Sequence, residues 1–271
     1  MNKKAVMMGR EQMTSEAIDE VFAKSLIGEY DDDAPWEAVR ELQDIGTQAV
    51  FEKSVEWCRS TDPLRRARAA DVIAQLGKTA DHPENALPED SFIVIASLIK
   101  IEADPRPLSS AIYALGHIGN PRAVRILSPF QIHPDAGVRF ALACALGCFA
   151  DDPMAVDALI KLTRDENEDV RDWATFGIGT LSKSDTPAIR EALFARIDDQ
   201  IEDVREEAIA GLVRLKDERV LPALLNALEL EDTPEEIVDA ALDMLSLSES
   251  EVDWTPNQCA AELRKKFGLS R

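Results

Sequence analysis

One pattern recurs seven times along the chain, starting at Asp31, Asp62, Asp104, Asp135, Asn167, Ile201 and Pro234. It has an acidic or polar residue at its start and an apolar residue three positions on. An arginine often follows at four, a small or apolar residue at seven, and an aliphatic residue at eleven. Successive starts are 31, 42, 31, 32, 34 and 33 residues apart. Position eleven is Leu42, Ile73, Leu115, Leu146, Ile178, Leu212 and Leu245. A near-constant period in this range specifies a stacked array of like units. Each unit buries its apolar face only against its neighbours, so the array is expected to have one continuous core.

Each unit reads as two helices. Asp62-Pro63 and Asp104-Pro105 supply a helix N-cap followed by proline at the first helical position, where its missing N–H costs nothing. Apolar residues then recur three and four apart, as a buried helical stripe requires. Gly46, Gly77 and Gly119, at position fifteen, suit a left-handed C-cap. A turn and a second apolar helix follow, as in ALLNALEL (Ala223 to Leu230). The expected fold is an all-α, right-handed α-solenoid of about seven helix pairs, as one continuous domain. The array covers 31–247, with capping segments at 1–30 and 248–271. The 42-residue step holds a surplus, KTADHPENALPEDS (Lys78 to Ser91), read as a loop insertion at 78–91 between the two helices of one unit.

Charge narrows the partner classes. Among 271 residues, 51 are acidic and 30 are Lys or Arg, giving a net charge of −21. Residues 11–56 hold 13 acids and 3 bases, and residues 198–253 hold 18 acids and 4 bases. The stretch 57–197 is nearly balanced, with 19 acids and 16 bases. Two acidic lobes would repel phosphate backbones, which excludes a nucleic-acid binder. They would steer a basic protein inward. Four cysteines, Cys58, Cys144, Cys148 and Cys259, are too few for a disulfide scaffold. The N-terminal stretch is too short in apolar residues for a signal peptide, and no run reaches membrane-spanning length. A cytoplasmic location is therefore expected.

The stretches DAGVRFALACALG (Asp135 to Gly147), NEDVRDWATFGIG (Asn167 to Gly179) and IEDVREEAIAGLVRLKDERVLPALL (Ile201 to Leu225) resemble HEAT repeats, more narrowly the PBS-lyase HEAT-like type. The resemblance covers about 31–247. DVRDWATFGIG, followed by DVREEAIAGL and the KDERVL turn, looks like a subgroup encoded beside Rhs-type polymorphic toxins, which implies an immunity role. The resemblance also leaves open a phycobilin-lyase-like enzyme subunit or a general assembly scaffold. Two enzyme types of similar fold are excluded by the residues. Deoxyhypusine hydroxylases need His-Glu pairs and this chain has none; HEAT-like DNA glycosylases need a basic groove.

In arrays of this kind, arginines at position four form a ladder between units. Arg66, Arg139, Arg171 and Arg205 are assigned that structural role, paired with nearby acids such as Asp135, Asp169 and Asp203. Position six accepts Glu37, Arg68, Ser110 and Glu207, so it is expected at the rim of the core. Trp173 at that position, and Trp36 behind Asp31, Asp32 and Asp33, are candidate anchors for a partner. Glu231, Asp232, Glu235 and Glu236 form the matching acidic cluster near the last unit. Cys144 and Cys148, four apart, are expected as small buried thiols. Neither a metal nor an organic cofactor is expected. The sequence thus points to a non-enzymatic module that binds a basic protein, in an immunity role against a nuclease-type toxin.

Overall fold

The computed structural model describes residues 13–247 and 254–269. Among these residues there are fifteen α-helices and no β-strand, only an isolated bridge between Thr79 and His82. The chain divides into two compact units, Met1–Phe149 and Ala150–Arg271. The first holds α1 (Ser15–Lys24), α2 (Asp33–Ile45), α3 (Gln48–Trp57), α4 (Pro63–Ala74), α5 (Pro88–Ile99), α6 (Pro105–Ile118), α7 (Ala123–Leu127) and α8 (Ala136–Gly147). The second holds α9 (Pro153–Leu162), α10 (Glu168–Phe176), α11 (Pro187–Phe194), α12 (Glu202–Arg214), α13 (Leu221–Ala227), α14 (Glu235–Leu245) and α15 (Pro256–Phe267).

The repeat frame predicts where helices begin. Asp62, Asp104, Asp135 and Asn167 are the N-caps of α4, α6, α8 and α10, each accepting a backbone N–H with its side chain. In the first repeat the cap falls one residue later, at Asp32. First helices of successive repeats pack on one another: α4 on α6 and α6 on α8 in the first unit, α10 on α12 and α12 on α14 in the second. The position-eleven residues lie in the core between them. Leu42, Ile73, Leu115, Leu146, Ile178 and Leu212 are all fully buried. Each such side chain contributes about 1.5–3 kcal/mol on burial.

The arginine at position four repeats one contact four times. Nη1 of Arg66, Arg139, Arg171 and Arg205 donates to the carbonyls one and two residues before its own repeat, at 2.8 to 3.2 Å. In Arg66 and Arg171 the rest of the fork reaches the following repeat. Nε and Nη2 of Arg66 grip Glu102 at 2.6 and 3.0 Å. Those of Arg171 grip Asp199 at 3.3 and 3.2 Å. Glu102 and Asp199 each stand two residues before the next start, which corrects the expected partners. A helical side chain leans toward the N-terminus of its helix, so it reaches the preceding turn. Asp135 instead caps the Val138 N–H, and Asp169 and Asp203 face other acids. Burial opposes the charge on Glu102, but Arg66 and two backbone N–H groups hold its carboxyl below the usual range.

The insertion between α4 and α5 is pinned by Asn85. Its amide donates to Ile73 O at 2.7 Å, and its oxygen accepts from Leu87 N–H and the Ser91 hydroxyl. Gly46 caps α2 at φ +59°, and a Cβ there would lie 2.5 Å from Gly77 Cα in the next repeat. Gly119 caps α6 at φ +74° with open space around it.

Two pairs of variants test these constraints by urea unfolding. Gly119→Ala is expected to cost about 1–2 kcal/mol, the left-handed backbone alone. Gly46→Ala is expected to cost clearly more, and equal losses would mean the Gly46–Gly77 approach is soft. Arg66→Ala should cost roughly 3 kcal/mol, because Glu102 is left nearly buried without a cation. Arg171→Ala should cost less, because Arg196 stays 2.9 Å from Asp199.

Candidate functional site

The chemistry-bearing residues concentrate on one register of the first helices. Positions two, five, six and nine, counted from each repeat start, carry a pocket in the first unit and an acidic face in the second. Position six is not uniformly a rim position, as the sequence suggested. Arg68, Ser110 and Ala141 are buried there, whereas Trp173 is 39% exposed.

In the first unit a pocket of about 390 Å³ is walled by the rings of Tyr30, Trp36 and Tyr113. The loop after α1 delivers Tyr30. Beneath it Arg68, on α4, holds that loop by donating to Ser25 O at 2.9 Å and Tyr30 O at 2.6 Å. Its guanidinium lies 4.0 Å from the Tyr30 ring centre and 5.0 Å from that of Trp36. The Tyr30 hydroxyl donates to Asp71 at 2.6 Å and lies 2.8 Å from the Ser110 hydroxyl. Burial pushes the Asp71 carboxyl up to about 6, although Tyr30, Ser110 and Arg68 all favour its charge. Burial, then the Asp71 charge, pushes the Tyr30 phenol up. Arg106, on α6, lies 4.7 Å over the Tyr30 ring from its exposed position.

In the second unit α10, α12 and α14 present acids to one another. Burial raises the Asp172 carboxyl, and Asp203 and Asp169 add to it. Asp172 Oδ1 is buried without a hydrogen-bond partner. Burial and then Asp172 push Glu207 up to about 7, against a single hydrogen bond from the Thr180 hydroxyl at 3.3 Å. Glu206 is raised by burial and by Glu202, Asp203 and Glu236, with Arg205 opposing. Trp173 adjoins this face, edge-on to Phe176 with centroids 5.6 Å apart. Three carboxylates held above their ordinary range in a folded protein are a destabilising arrangement, the kind associated with functional surfaces.

The sequence candidates divide between these places. Asp31 and Trp36 line the pocket. Asp32 accepts from Glu29 N–H at 2.9 Å, and Asp33 lies in the first turn of α2. Glu236 belongs to the acidic face, Glu235 precedes it, and Glu231 and Asp232 are exposed in the turn before α14. Sequence reasoning missed Tyr30, Asp71, Arg106 and Tyr113, and Asp172, Asp203, Glu206 and Glu207. Tabulating positions two, five, six and nine across repeats would have grouped most of them. Cys144 is half-buried with its Sγ 3.9 Å from the Tyr113 hydroxyl, and Cys148 is exposed rather than buried as expected. Among the described residues no group of His, Cys, Asp and Glu is able to hold a metal ion, and no helix is long and apolar enough to cross a membrane.

Comparison with known proteins agrees with the repeat frame. A family model described as HEAT repeats matches residues 94–179 and 156–246. Protein YibA of Escherichia coli K12 is 31% identical over 212 residues, covering 75% of this chain and 72% of that protein. Phycocyanobilin lyase subunit alpha of Picosynechococcus sp. is 25% identical over 150 residues, covering 53% of this chain and 54% of that protein. The X-ray structure of Escherichia coli YibA superimposes with a TM-score of 0.72 at 23% identity, over 100% of this chain and 98% of that one. An engineered protein superimposes with a TM-score of 0.56 at 20% identity, over 72% of this chain and 95% of that one. These superpositions establish a helical-repeat solenoid fold.

The acidic face makes a stability prediction with a definite sign. Glu207 has a folded pKa, about 7, above its ordinary 4.5. The folded state therefore holds the proton more tightly, and stability rises as pH falls from about 7 toward 4.5. Glu207→Gln should be more stable than the parent at pH 8, by about 1 kcal/mol once solvent screening is allowed for. The gap should close by pH 5. His117, whose pKa burial and then Lys78 lower, works the other way, but it is common to both proteins. Melting temperatures across pH 5–8 would check this; a gap that is constant with pH would contradict it.

Proposed function

The chain belongs to the HEAT-repeat family, and on that premise we propose that it is a protein-binding module that captures a basic protein. The observation that carries this reading is the acidic face of α10, α12 and α14. Glu207 is opposed by Asp172 of the preceding repeat, and Glu206 by Glu236 of the following one, each on top of its burial. A lysine or arginine of a partner would relieve that repulsion. Trp173, exposed beside it, supplies the apolar anchor that charged rims lack. Asp31, Asp32, Asp33, Glu231, Asp232, Glu235 and Glu236 extend the attraction at long range and speed encounter. Helix N-termini favour acids by about 0.3–1 kcal/mol each, which accounts for one acid per first turn and not for the excess.

The finer reading is an immunity role, supported by the resemblance of DVRDWATFGIG to proteins encoded beside polymorphic toxins. An acidic surface of this kind would occupy the basic groove a nuclease uses for its substrate. The similarity to phycocyanobilin lyase subunit alpha supports a second reading, an enzyme subunit, which binding of a bilin by the purified chain would favour.

The test uses a basic partner recovered by pull-down from the source cells, then purified and titrated. Affinity should fall steeply with added salt. It should also rise with pH from about 6 to 8, because a bound cation must displace the proton held by Glu207. Glu206→Lys with Glu207→Lys should abolish binding while the helical content stays intact. Affinity indifferent to both salt and these reversals would remove the electrostatic basis of the reading. For the immunity role, co-expression with the partner should restore growth to cells that the partner alone arrests.

A further inference from the structure

Apart from Asp31 in its lining, the pocket of the first unit plays no part in that reading, and its groups are not all accounted for by folding. Asp71 is engaged by Tyr30 and lies 3.5 Å from Arg68 Nη1, so its carboxylate is not free for a guest. Arg68 is 1% exposed; its Nε and Nη2 donate to Ser25 O and Tyr30 O, and its buried Nη1 faces Asp71 without a hydrogen bond. Arg106 is different. It lines the pocket, is exposed, and its guanidinium rests on the Tyr30 ring with no carboxylate partner among the described residues. Ser109, one helical turn further along α6, lines the same pocket and its hydroxyl makes no hydrogen bond among the described residues. A guanidinium stacked on a ring keeps its edge N–H groups directed sideways, where they match the two oxygens of a carboxylate.

The remaining wall is flat and largely apolar. Trp36 is half-buried and edge-on to Tyr30 at 5.8 Å, and Tyr113 faces the same space. A volume of about 390 Å³ lies within the roughly 300–1,000 Å³ range of small-molecule sites. Asp31 also lines the pocket, but it is exposed, and the two guanidiniums that lie against Tyr30 at 4.0 and 4.7 Å disfavour a further cation there. A guest with a planar ring and one negative charge satisfies both the walls and the unpaired cation.

We propose that this pocket binds a small planar carboxylate, its carboxyl group paired with Arg106 and Ser109 and its ring enclosed by Trp36, Tyr30 and Tyr113. The site lies wholly within the first unit, and the acidic face within the second, so either proposal can fail without the other.

Three probes of one shape and different charge provide the test: 1-naphthylacetate, 1-naphthylacetamide and 1-naphthylmethylamine, titrated calorimetrically into the full chain. The acetate should bind at least roughly tenfold more tightly than the amide, the difference one charge-assisted hydrogen bond supplies. Arg106→Gln should erase that preference while leaving the amide affinity in place. Because Arg106 is exposed and its guanidinium makes no ion pair or hydrogen bond among the described residues, this variant should melt close to the parent. Trp36→Ala should weaken acetate and amide alike. The proposal is overturned if the amine binds as tightly as the acetate, if the preference survives Arg106→Gln, or if none of the three saturates at millimolar concentration.

Discussion

In four of the seven repeats a single guanidinium serves the turn before the first helix, and in Arg66 and Arg171 it does a second job that a solenoid otherwise has to solve separately. The turn that precedes each first helix leaves backbone carbonyls without partners, and neighbouring repeats need a fixed register. Nη1 of Arg66, Arg139, Arg171 and Arg205 satisfies the carbonyls. In Arg66 and Arg171 the other edge of the fork takes the acid that opens the following turn. Lysine could not do both, because a point charge has no second edge. The buried aliphatic stripe supplies most of the free energy, but it is tolerant of small slides. The fork has direction, and it sets which turn stands beside which.

Because register is fixed in this way, the residues at positions two, five, six and nine of the first helices recur at defined places. The same positions serve different ends in the two units. In the first they hold Arg68, Asp71 and Ser110, which close a polar network around Tyr30, and Tyr113, which lines the same pocket. In the second they hold Asp172, Glu206 and Glu207, which have little to compensate them. A chain that pairs Arg66 with Glu102 and Arg219 with Asp217 is able to compensate acids where stability is what matters. Leaving this face uncompensated is therefore informative about what it meets.

Much of the fold was legible in the sequence because the signals were local and repeated. Asp62 and Asp104 cap helices from positions that a period and a following proline identify without any tertiary knowledge. The candidate sites were less legible for a physical reason. Arg68 carries a charge, and only the arrival of Ser25 and Tyr30 from a distant loop makes its burial tolerable. Likewise, Asp135 and Asp169 lie closer in sequence to their arginines than do the acids that pair in Arg66 and Arg171, yet helical side chains point backward along the axis. Proximity along the chain misleads wherever the decisive contact crosses from one repeat to the next.

Asn85 bears on how such a chain changes length over evolutionary time. By binding the carbonyl of Ile73 and the start of α5 together, it closes the extra segment into a loop whose two ends meet. Nothing upstream or downstream needs to shift when residues are gained or lost there. An array built on strict register would ordinarily resist insertions, since one extra residue inside a helix rotates every later side chain. A local clasp of this sort turns one joint into a permissive site, where a new surface can be tried out while the rest of the molecule keeps its phase.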